Sequence, residues 1–114
     1  MSGYNPITLE STIPTIDTHG IAHFDLTVTL AGTPPSGATI ILSCTPSTVL
    51  VLNNPYTFSS AVGTIPLSSI DAITQQVSVT IQVTADNASL CRQVTLSPPG
   101  TTSPAGNNVT CPGV

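Results

Sequence analysis

Residues 77–84 read Val-Ser-Val-Thr-Ile-Gln-Val-Thr, an unbroken alternation of apolar and polar side chains. A β-strand turns successive side chains to opposite faces, so this stretch buries one face and wets the other only as a strand. The same stripe recurs along the chain. Phe24, Leu26, Val28 and Leu30 alternate with Asp25, Thr27 and Thr29, and Ala38, Ile40, Leu42 and Cys44 stand opposite Thr39, Ile41 and Ser43. Residues 49–52, 56–60 and 64–67 read as shorter extended pieces, and residues 90–96 close the set with Val94 and Leu96 inward. Between them lie turn formers: Ala31-Gly-Thr-Pro-Pro-Ser-Gly37, Pro46-Ser47, Asn53-Asn-Pro55 and Asp86-Asn87. Eleven prolines are spread along the chain and cut any long helix. Strands at this spacing, with no crossover helices between them, predict an all-β antiparallel sandwich.

A length of 114 residues suits one domain. Residues 21–97 are expected to form the sandwich. Residues 1–20 form an N-terminal arm that pairs as an edge strand and switches sheets near Pro14. Residues 98–114, rich in Pro and Gly, form an extended tail that orders only against a partner.

Charged residues make up only 5% of the chain, against about 25% in an average domain. The single base is Arg92, and there is no Lys. Neutralising phosphates takes several cations on one face, so nucleic-acid binding and a polybasic membrane anchor are both excluded. The longest apolar run, residues 49–52, is far too short to span a bilayer as a helix. Nineteen Thr and 13 Ser take over the solubilising role that charges usually play. The first residues, Met1-Ser-Gly-Tyr-Asn-Pro, carry no basic start or apolar run of the signal-peptide kind, so synthesis in a cytoplasm without conventional export is expected.

Cys44, Cys91 and Cys111 lack Cys-x-x-Cys spacing, which argues against structural zinc. Reduced thiols are the expectation, with Cys44 in the core. A Cys91–Cys111 bridge tethering the tail is the alternative. Cys91 lies out of phase with Val94 and Leu96, which argues against a bridge through the core. Arg92 is in phase with them and is expected to point inward and pair with an Asp.

No catalytic, metal or cofactor site is expected. His19 and His23 lie about 13 Å apart on an extended chain and would share a metal, with Asp17 or Asp25 as co-ligand, only if Gly20 turned sharply. The five acids are scattered singly. There is no Asp-x-Asp-x-Asp run for calcium and no Gly-x-Ser-x-Gly nucleophile elbow. The sequons Asn87-Ala-Ser89 and Asn108-Val-Thr110 are read as chance matches without an export signal.

Residues 26–96 resemble a bacterial immunoglobulin-like module. The resemblance rests on a first strand with its Pro/Ser/Gly turn, Leu26 to Gly37, and on the corner Ser43-Cys-Thr-Pro-Ser47. It continues through the Thr64-Ile-Pro66 step, the long Thr/Val strand at residues 76–85 and the closing Arg92-Gln-Val-Thr-Leu96. It implies an immunoglobulin-like antiparallel β-sandwich of about seven strands, with extended N- and C-terminal arms and no required disulfide between sheets. Such modules serve as spacers or adhesive domains on bacterial surfaces and as appendages on phage virions. A self-standing module without an export signal is similar to a phage capsid decoration or cement protein. On that footing the chain is not an enzyme. Its partner is the major capsid protein or another virion protein, and it is made in the host cytoplasm and acts on the virion. Dimers or trimers fit binding on a symmetric lattice. A cell-surface or filament-forming adhesion module is the alternative. A carbohydrate-binding module is poorly served by a chain with no Trp. The expected contacts are Tyr4, Pro6, Ile7, Leu9, Ile13, Pro14 and Ile16 in the arm and Pro98, Pro99 and Val109 in the tail.

Overall fold

A computed structural model describes residues 5–32, 38–85, 88–101 and 106–111. Tyr4, the Asp86-Asn87 turn and most of the turn after Ala31 lie outside the described residues. The rest is all-β, two antiparallel sheets packed face to face. In chain order the strands are β1 (Pro6–Ser11), β2 (Thr15–Ile16), β3 (Ala22–Leu30), β4 (Ala38–Thr45), β5 (Leu50–Val51), β6 (Tyr56–Phe58), β7 (Val62–Ser69), β8 (Val77–Ala85), β9 (Ala88–Leu96) and β10 (Asn107–Val109). One sheet runs β1-β3-β7-β5, with β2 also on β3; the other runs β10-β9-β8-β4-β6.

The alternating stripes became the core. Leu26, Val28, Ile40, Val79, Ile81, Val83 and Val94 are fully buried between the sheets, while Thr39, Ile41 and Ser43 face solvent. At one side of the sandwich the packing is tight enough to require glycine: a Cβ on Gly63 would stand 2.5 Å from the Phe58 ring, which lies across β7. On β4, Asn54 extends the ladder past the end of β6, its side-chain amide accepting from Leu42 N–H and donating to Leu42 C=O.

Three expectations are corrected. The N-terminal arm does not change sheets at Pro14, because β1 and β2 both pair with β3. The register moves from Ser11↔Leu26 to Thr15↔His23, four steps on one strand against three on the other. The extra residue is absorbed as a bulge-like break around Pro14 and leaves Ile13 54% exposed. The tail is not free of the domain either. Asn107–Val109 pairs with β9, and Cys111 is bonded to Cys91 with a Cα–Cα distance of 5.1 Å. The expectation of reduced thiols therefore fails for this pair, while Cys44 stays a buried thiol. The phase argument did exclude a core bridge. The disulfide sits on the outer face of β9, where Cys91 points.

Short strands account for the difference between about seven expected and ten among the described residues. β2 and β10, of two and three residues, left no periodic signal in sequence, whereas β5 and β6, equally short, fall within the extended pieces expected at residues 49–52 and 56–60.

Candidate functional site

Pro14 and the bulge-like break before it carry Ile13–Ile16 to the end of the sandwich where β9 also ends. Beyond β9 the chain turns at once, with Thr101 N–H donating to Pro98 C=O over 3.1 Å. Gly100 takes φ 87° at the third position of that turn, after Pro99 at the second. This is the arrangement of a type II turn, which needs Pro-like φ first and a left-handed residue next. The two segments face each other across a groove of about 400 Å³ lined by Ile13, Pro14, Thr15, Ile16, Ser97, Pro99, Gly100 and Thr101. Among the described residues, no charged side chain lines it.

Of the expected contact residues, Ile13, Pro14, Ile16 and Pro99 thus come together, although more than 80 residues separate Ile16 from Pro99 in sequence. Pro98 is half-buried beside them. Ile7 is 58% exposed on β1, away from the groove lining. Leu9 is withdrawn from the set: at 1% exposure its side chain belongs to the chain's own core. Pro6 is buried too, and Val109 is half-buried on β10.

Behind this end lies Arg92, 9% exposed. It points inward, but the expected Asp is not its partner. Nε–H donates to Ser11 Oγ (2.7 Å), Nη1 to Leu9 C=O (3.1 Å) and Asn108 Oδ1 (2.9 Å), and Nη2 to Gly106 C=O (2.8 Å). One guanidinium therefore binds β1 of the first sheet to the approach and body of β10 in the second. Gly106 is needed for the close approach, since a Cβ there would lie 2.9 Å from Gln93 C=O and 3.0 Å from Arg92 Nε. The Asn108 side chain, part of a glycosylation-type triplet, is committed to this network.

The histidines do not form a shared site. Gly20, at φ 84°, turns the chain after Asp17, whose carboxylate accepts from His19 N–H (2.8 Å) and Ile21 N–H (3.0 Å). Its other oxygen lies 2.8 Å from His23 Nε2, and His23 Nδ1 lies 2.9 Å from Ser68 Oγ on β7. Both imidazole nitrogens are thus engaged. No group of three or more His, Cys, Asp or Glu among the described residues is placed to hold a metal. Ser68 carried no signal in sequence, being 45 residues from His23.

The Asp–His–Ser order is that of an acyl-transfer relay, yet the setting does not suit the chemistry. The imidazole is 47% exposed, so water screens it. The Ser68 main chain is turned to its neighbour β5, where it pairs with Val51. The relay instead pins the β2–β3 turn to β7.

The His23 hydrogen bond first, and then the Ile21 amide, lower the Asp17 pKa from 3.8 to about 2. A carboxylate more acidic in the folded than in the unfolded state contributes stability that is whole above the unfolded value and lost as pH falls through the folded one. Acid thermal melts should therefore show a contribution lost between about pH 4 and pH 2 that Asp17→Asn abolishes. Parallel wild-type and variant curves across that window would refute it.

Compared with known protein families, curated proteins and solved structures, the chain matches none.

Proposed function

We propose that this chain is an immunoglobulin-like, non-enzymatic structural protein of a phage virion that binds the capsid exterior as a decoration or cement protein. The observation that carries the reading is the uncharged groove where Ile13–Ile16 and Ser97–Thr101 converge. A surface of Ile, Pro and Thr binds by shape and apolar burial, with almost no charge to desolvate. It suits a fixed protein partner better than a diffusing charged ligand.

The strand order supports the immunoglobulin-like reading. β1-β3-β7-β5 and β9-β8-β4 follow the A-B-E-D and G-F-C orders of that sandwich. Two departures are that β6 follows β5 and returns to the other sheet, and that β10 extends the sheet beyond β9. The test is sedimentation of the purified protein with expanded, empty capsids. Co-sedimentation that Ile13→Asp abolishes is expected, and no co-sedimentation at micromolar protein would reject the reading.

The Cys91–Cys111 disulfide favours a second reading, a cell-surface or filament-forming adhesion module, because such bonds persist in oxidising surroundings. A released virion provides the same surroundings. Detection of the protein on intact cells that carry no phage would decide for the adhesion module.

A further inference from the structure

β7 carries an open main-chain edge. Its odd-numbered residues bond β3, as Leu30 N–H to Ala61 C=O shows one step before the strand begins. Its even-numbered residues face away, towards β5, as Ile70 N–H to Val49 C=O shows one step after it ends. β5 pairs only with Ser68 and Ser69. Val62, Thr64 and Pro66 therefore turn their main chains outward with no strand beside them among the described residues. The other edges differ: Leu9 C=O on β1 is taken by Arg92, and β5, β6 and β10 are two or three residues long. An opening of about 300 Å³ flanks the β7 edge, lined by residues 56–60 and 62–66.

The groups left on this edge form a particular set. Pro66 has no N–H to offer. Val62 C=O already accepts from Ser60 Oγ at 2.8 Å. What remains is Val62 N–H, Thr64 N–H, Thr64 C=O and Pro66 C=O. Two such edges set antiparallel about a two-fold axis at Thr64 match each other fully. The two Thr64 residues exchange both their bonds, and at each end Val62 N–H meets Pro66 C=O of the other copy. The one acceptor that would face the missing proline donor is the one Ser60 has already satisfied.

From this self-complementarity we infer that β7 pairs with β7 of a second copy, joining two sandwiches through one continuous sheet. Val62, 53% exposed, then packs on Pro66 across the seam. Of the usual protections of a free edge, β7 carries no lysine or other charge, and its one proline, Pro66, falls opposite the Val62 C=O that Ser60 already satisfies. This surface adjoins the groove assigned to the capsid, Pro66 sharing a hollow with Ile13 and Thr15, but the pairing does not depend on that assignment.

The test reads oligomeric state by sedimentation equilibrium on the full chain. The wild type is expected to be dimeric at about 0.1 mM. The two-fold places Thr64 directly opposite itself, so Thr64→Lys and Thr64→Glu should each weaken association by about tenfold or more, like charges being set face to face. Mixing the two variants should restore a one-to-one dimer. Thr64 is exposed on the outer face, and circular dichroism will report whether each variant keeps the fold. A wild type that stays monomeric, a stoichiometry other than two, a dimer indifferent to Thr64→Lys, or a mixture that fails to associate would each overturn the inference.

Discussion

Arg92→Met is expected to lower the stability of the domain by about 3–5 kcal/mol, against a total of about 5–15 kcal/mol for a domain of ordinary stability. The substitution keeps most of the apolar stem and removes only the donors. Leu9 C=O would then be stranded in the buried interior, and Gly106 C=O and Asn108 Oδ1, nearer the surface, would lose their donor and be only partly reached by water. Replacing both members of a buried polar pair with apolar groups is often neutral, but here two acceptors are main-chain carbonyls and no mutation removes them. Lysine presents a point charge where the site uses a planar fork, so Arg92→Lys should recover only part of the loss. Urea denaturation followed by circular dichroism measures all three proteins. A loss below about 1 kcal/mol for Arg92→Met would mean that water reaches the acceptors and that Arg92 does not hold the two sheets together.

Replacing Cys91 and Cys111 together with Ala is expected to cost about 3 kcal/mol. That is the chain-entropy value for a loop closed over a sequence separation of 20. The loss should begin locally. β10 has three residues and sits at the sheet edge, so without its tether it frays before the sandwich unfolds. Amide exchange at residues 107–109 should therefore accelerate more than exchange in β8. Cys44 remains a thiol in both proteins, so the difference reports the tail alone. Equal melting temperatures for the wild type under oxidising and reducing conditions would show that the bond contributes nothing. Because β10 also supplies Asn108 to Arg92, the two sets of mutations are expected to be non-additive.

Much of the fold was legible along the chain. The stripes at Phe24–Leu30, Ala38–Cys44 and Val77–Val83 could bury only one face, and those faces form the core. Period two declares itself within a few residues, because it arises from the local geometry of the strand.

What lay far apart in sequence was not legible. Nothing in Ser68 points to His23, and nothing in Leu9 or Gly106 points to Arg92, because a main-chain carbonyl looks the same at every residue. The expected Asp partner for Arg92 assumed that a buried charge needs an opposite charge. The structure instead gathers neutral oxygens from two strand edges, and only the folded chain puts them in one place. The tail misled for a related reason: two asparagines, a single valine and a cysteine carry no apolar period, and their order comes from β9 and a covalent bond. Residue alternation by itself determined two stacked antiparallel layers and which side chains lie between them. Tertiary structure alone decided how the edges are closed, where the chain ends meet, and which edge of β7 stays open, because edges are settled by hydrogen bonds between residues that sequence does not make neighbours.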